Sequence, residues 1–195
     1  MKIALDKSWR ECLENDCIQF RTPLTGYRIN KKVPYILDNG CFSEFKKNKW
    51  ISFCLQGMKD EHCLFIVAPD VVGNHTLTRS RFDYWYNEFE HNKWGFVLQD
   101  GLIIKDIPWD KISAVFVGGT TKFKYSLLCW KALELAKKKG KHIHIGRVNT
   151  PKRIVYFHGM ADTIDGSGLS RFETARIASL SLINLLNKSE QKKLF

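Results

Sequence analysis

The sequence lacks any apolar run approaching the roughly 18 to 20 residues needed to cross a bilayer. Its first residues, MKIALDKSWRE, lack the apolar core of a signal peptide. Membrane insertion and export are therefore not expected. None of the six cysteines (Cys12, Cys17, Cys41, Cys54, Cys63, Cys129) forms a C-x-x-C pair, so they read as reduced thiols of a cytoplasmic protein. The glycines of GGTTKFK (118–124) let backbone N–H groups approach a ligand, but the G-x-x-x-x-G-K-[ST] spacing of a nucleotide loop is missing and ATP binding is not supported. No internal repeat, low-complexity tract or linker interrupts the chain, and only the charged tail NKSEQKKLF looks dispensable. Residues 1–195 are expected to form one domain.

Acidic residues are also scarce. Lys and Arg number 31 against 20 Asp and Glu, a formal charge of +11, which favours an acidic partner such as nucleic acid. Aromatic residues make up 13% of the chain and hydrophobic residues 44%, enough for a substantial core. Trp50, Trp85, Trp94, Trp109 and Trp130 fall in amphipathic patterns and are assigned to that core before base stacking.

From Pro34 onward short apolar runs alternate with longer amphipathic segments, the rhythm of parallel strands joined by crossover helices. The expected strands are 35–38, 64–70, 95–100, 114–119, 142–148 and 162–165. Helices are expected over 43–58, 76–92, 126–140 and 171–186, with Gly140 stopping the third. Six strands are two short of a full barrel's eight. The expectation is an α/β fold, a compact (β/α) barrel of TIM type, incomplete or irregular unless segments such as CIQFRT add strands, for instance as an antiparallel ribbon.

Each expected strand ends in a polar residue or a glycine, among them Asp38, Asp70, Gln99 with Asp100, Gly118 with Gly119, Gly146 with Arg147, and Asp165. In a barrel the carboxyl ends of parallel strands share one rim, so these residues are expected to converge. Singly, each aspartate is explained by capping. Together, carboxylates on one rim shift one another's pKa values, which suits one for attack and another for proton transfer. His142 and His144 could project from one strand face as metal ligands, but no third ligand is fixed by spacing, so packing or hydrogen bonding is expected and no metal.

The ordered segments LDNGCF (37–42), APD (68–70), LQDG (98–101), FVGG (116–119), HIGRVN (144–149) and ADTIDG (161–166) resemble the tRNA-guanine transglycosylase superfamily. They are most similar to its short phage-associated branch, associated with 7-deazaguanine bases in DNA. The resemblance covers roughly residues 34 to 172. It implies a barrel that exchanges guanine for a free 7-deazaguanine base, without a cofactor, through an aspartate nucleophile matching Asp165 and an acid/base aspartate matching Asp38. Base recognition falls to Asp70, Gln99, Gly118 and Gly119, with Asp100 and Phe42 beside them. Asp162, Arg147 and Asn149 are supporting candidates, and Lys122, Lys124, Lys152, Arg153 and Arg171 are candidates for contacts to the nucleic-acid backbone.

Asn39 and Cys41 depart from the family motif, the arginine-rich segment is reduced to Arg171, and the family's C-x-C-x-x-C zinc site is absent, which favours DNA over tRNA. A phage-encoded chain would act in the host cytoplasm. Two alternatives stay open: a non-catalytic nucleic-acid-binding subunit, and an N-glycosidase with water as acceptor. Strand preference, oligomeric state and the identity of the incoming base are not fixed by the sequence.

Overall fold

Eight short strands, each parallel to both neighbours, close into a barrel in the computed structural model. The structure describes residues 1–25, 27–30 and 32–191. The strands are β1 (Lys2–Leu5), β2 (Ile18–Arg21), β3 (Tyr35–Leu37), β4 (Cys63–Val67), β5 (Trp94–Leu98), β6 (Ala114–Val117), β7 (His142–Ile145) and β8 (Thr163–Asp165). The helices are α1 (Trp9–Glu14), α2 (Lys47–Lys59), α3 (His75–Glu88), α4 (Thr121–Lys124), α5 (Leu127–Lys138), α6 (Pro151–Phe157), α7 (Ser167–Arg171) and α8 (Glu173–Gln191).

The barrel is complete. The two strands beyond the expected six are β1 and β2, and β2, the core of CIQFRT, pairs in parallel with both β1 and β3 rather than forming an antiparallel ribbon. The irregularity lies in the crossovers. Among the described residues no helix joins β2 to β3, and only two 3-10 turns, Ile104–Asp106 and Trp109–Lys111, precede β6.

Local chemistry sets the element ends. Ser8 and Glu11 form a reciprocal capping box that starts α1. Thr150, with Pro151 at the first helical position, starts α6. Helix α5 stops at Lys138, and Gly140 follows with φ of +65°, a conformation open to glycine. The helix expected over 171–186 is two elements, broken at Phe172 between α7 and α8. Residue 43 does not yet begin α2, because Ser43 and Glu44 donate to the Gly40 carbonyl in a turn. The tail read as dispensable is helical as far as Gln191, and residues 192–195 lie outside the described ones.

The core has two layers. Ala4, Ile18, Phe20, Ile36, Phe65, Val67, Val97 and Ala114 fill the barrel, while a larger cluster lies between strands and helices. Trp50, Trp85 and Trp94 are buried in the outer layer, and Trp109 and Trp130 are only partly buried against it. Trp50 sits 4.8 Å from Trp85 between ring centroids, and its indole N–H donates to the Val67 carbonyl at 3.2 Å. That bond fixes α2 to the end of β4, just ahead of Asp70. Trp50→Ala is therefore expected to lower unfolding free energy by ~3–5 kcal/mol, measured by urea titration.

Candidate active site

Alternation along the strands decides which side chains reach the rim from inside. Ile36 and Val97 fill the barrel, and two residues further on Asp38 and Gln99 line the cavity above them. The same phase carries Phe116 to Gly118 and Thr163 to Asp165. The cavity is about 180 Å³, several times the roughly 30 Å³ share of a liquid water, a size suited to a small ring-bearing ligand. Its lower wall includes Phe20, Val67, Val97 and Phe116. The upper wall carries three carboxylates, those of Asp38, Asp70 and Asp165.

Each carboxylate is held differently. Asp70 is 6% exposed and accepts from the Asn39 amide at 2.9 Å and the Gln99 amide at 2.6 Å. Burial raises its pKa, and those two hydrogen bonds oppose the rise. Asp165 accepts from the Arg147 backbone N–H, and Arg147 adopts φ of +60° to present it. Burial raises Asp165 as well, against that bond and the nearby charges of Lys124 and Arg147. Asp38 accepts from the Gly40 N–H at 3.1 Å. Burial pushes Asp38 up to about 7, the Gly40 bond opposes this, and the charges of Asp165 and Asp70 add to it. The cavity thus pairs an aspartate held by an amide and two cations with one poised to exchange a proton near neutrality.

Several expected positions need correction. The Gly118 N–H is taken by the Leu98 and Phe116 carbonyls and the Gly119 N–H by Gln99, so neither faces a ligand carbonyl. What Gly118 contributes is room: a Cβ there would lie 2.6 Å from Gln99 Nε2. Gln99 accepts from Gly73 and Gly119 and donates to Asp70, so it orients Asp70 and the loops around it. Asp100 is outside the cavity and accepts from the Thr120 amide and hydroxyl, holding the residue whose side chain caps α4. Asn149 is also outside, accepting from the Gly168 N–H to hold α7. Asp162 precedes β8 at the opposite end of the barrel and accepts from Ile143. The D-x-x-D spacing spans the strand, so its two acids face opposite ends.

The cations also separate. Lys122 and Lys152 are exposed, as is Arg171, which lines an adjoining second hollow of about 530 Å³ that Asp165 also lines. Lys124 is buried and cannot reach a phosphate: its ammonium donates to the Gly146 carbonyl, and burial with the Arg147 charge pushes it down to about 8. Arg153 is tied to the Arg147 carbonyl and the Thr121 hydroxyl. Arg147 bonds the Gly119 carbonyl and lies 4.5 Å from the Phe42 ring, which is 65% exposed at the mouth.

The sequence reading missed Asp6, which follows β1, lines the second hollow and adds charge beside Asp165. Its signal was present, since KIALD is an apolar run ending in aspartate like YILD. Leu24 and Val72, exposed at the mouth, carried no comparable sign. All six cysteines are unpaired, and among the described residues no set of three His, Cys, Asp or Glu is placed to hold a metal ion. No helix among them is long and apolar enough to cross a membrane.

No protein-family model matches the chain, and a search of curated proteins finds no match.

A carboxyl whose folded-state pKa is raised destabilises the fold once pH passes its unfolded value near 4, and the penalty is complete above the folded value. For Asp38 that window runs from about 4 to about 7. Asp38→Asn is expected to stabilise the protein by roughly 2–4 kcal/mol at pH 8, the gain shrinking steadily toward pH 4. Urea unfolding of both proteins across that range measures it.

Proposed function

We propose that the chain is a pentosyltransferase that exchanges guanine in DNA for a 7-deazaguanine base through a covalent aspartyl-sugar intermediate. The observation that carries this reading is that Asp38, Asp70 and Asp165 line one cavity while differing in how they are held. Asp165, with an amide and two cations beside it, is the nucleophile. Its carboxylate forms a bond to the anomeric carbon of a deoxyguanosine as the bond from that carbon to guanine breaks. Asp38, titrating near neutrality, gives its proton to the departing base. The incoming base then loses a proton to Asp38 and attacks the same carbon, displacing Asp165. Both carboxyls return to their starting states.

Asp70 recognises the base. With Asn39 and Gln99 fixing its orientation, its remaining lone pairs accept from the ring N–H and exocyclic amine of a guanine-like edge, which adenine does not offer. The target base must leave its stack, at a cost of a few kcal/mol recovered from contacts in the pocket. The formal charge of +11 supplies backbone attraction from surface lysines and arginines, while the acids act at sugar and base.

The test is incubation of the purified protein with DNA and a panel of 7-deazaguanines, followed by digestion and mass spectrometry of the nucleosides. A new deazaguanosine is expected. Abasic sites would instead indicate hydrolysis, and unchanged DNA a binding subunit. Asp165→Asn is expected to abolish both labelled-guanine exchange and the trapped protein–DNA adduct without loss of fold, and full exchange by that variant would place the nucleophile elsewhere. Asp70→Ala is expected to weaken discrimination between bases while leaving duplex affinity largely unchanged in a binding titration. A change confined to salt-dependent affinity would contradict that role.

A further inference from the structure

Two titratable rings inside the barrel have no part in the exchange chemistry as described. His142 Nε2 and His144 Nδ1, two residues apart on β7, each lie 2.8 Å from the hydroxyl oxygen of Thr163. Thr163 begins β8, the strand that ends at Asp165. At one end of this row the half-buried His142 lines a hollow at the amino ends of the strands, with Lys137, Lys141 and Asp162. At the other end His144 Nε2, fully buried, has no hydrogen-bond partner among the described residues and lies 3.9 Å from Asp165 Oδ1.

The chemistry of one hydroxyl couples the rings. Thr163 has a single hydrogen to donate, so the ring it donates to presents a lone pair and the other ring must donate to it. The tautomers of His142 and His144 are therefore coupled: both rings carry their proton on Nδ1, or both carry it on Nε2. Phe20 and Phe116 stack on His144 with centroids 5.6 and 4.6 Å away, leaving Asp165 as the polar group its free nitrogen faces. A buried ring nitrogen left without a partner carries a full desolvation cost, so this arrangement calls for a reason.

We propose that His142, Thr163 and His144 form a proton path from the lower hollow to Asp165, with His144 the positioning residue that sets the nucleophile's charge. The inference rests on the exchange reading above. A base filling the upper cavity covers Asp165 on that side, and the path gives its proton a route that does not cross the second hollow, which Asp165 also lines. In the path, the Asp165 O–H breaks as His144 Nε2–H forms. His144 Nδ1–H breaks as a Thr163 O–H forms, Thr163's own O–H breaks as His142 Nε2–H forms, and the proton on His142 Nδ1 leaves to solvent below. Asp165 is left ionised, facing a donor. Closing the 3.9 Å gap by about an ångström brings the two atoms into hydrogen-bond range.

Other charges also face these groups. Asp165 meets Lys124, Arg147, Asp6 and Asp38, His144 meets Lys124, and His142 meets Asp162. The test keeps all of them and cuts the path at Thr163. In Thr163→Val, carbon-13 NMR of the Asp165 carboxyl is expected to show its titration moved up by about one unit, with adduct formation slowed about tenfold at neutral pH. Thr163→Ser restores both. His144→Phe, which keeps the ring between Phe20 and Phe116, gives the same shift and serves if Thr163→Val does not fold. Asp165 titrating within about 0.2 units of wild type in the folded variants overturns the path. Absence of any adduct in wild type overturns the exchange reading instead, while the titration still decides the path.

Discussion

Placing three carboxylates around one small apolar-floored hollow is the costly arrangement on which the rest of this structure depends. Water that would solvate them is displaced, and unpaired charge in such a place is expensive. The surrounding backbone supplies the answer. Arg147 bends into a left-handed conformation to give its N–H to Asp165, Gly40 turns to meet Asp38, and the Asn39 and Gln99 amides close on Asp70. The loops after β3, β5, β6 and β7 take their shapes from these carboxylates or from side chains bonded to them.

The same constraint explains why residues expected at the site also hold its loops together. Gln99 bridges Asp70 to Gly73 and Gly119, and Asp100 ties α4 to β5 through Thr120. Lys124 is a buried cation beside the part-buried Asp165 rather than a surface contact for phosphate. The chain's excess of positive charge is thus divided between an interior part that balances Asp165 and an exposed part that includes Lys122, Lys152 and Arg171.

Much of this was legible in the residues. The alternation from Pro34 onward marked six strands, and apolar runs ending in aspartate or glycine marked the rim. The capping box at Ser8 and Glu11 and the Thr-Pro pair before α6 were equally readable, but short elements between weak apolar runs were passed over. Asp162 was misplaced because a motif's spacing says nothing about the strand lying between its two acids. The fate of the Gly118 and Gly119 N–H groups was hidden because it depends on Leu98, Phe116 and Gln99 meeting across neighbouring strands. Such partners are settled by closure of the barrel, which no local pattern records.

The described residues of the β2–β3 connection show what becomes of a stretch not used to build a crossover helix. Leu24 from this stretch borders the cavity that holds the three carboxylates and Tyr27 the hollow beside it, so one long link furnishes part of both chambers. In a chain of 195 residues, shorter than the roughly 250 usual for this architecture, trimming the outer shell has not thinned the mouth. Length removed from the scaffold's flank is length available at its opening, and a small barrel can in this way keep a deep and partitioned entrance.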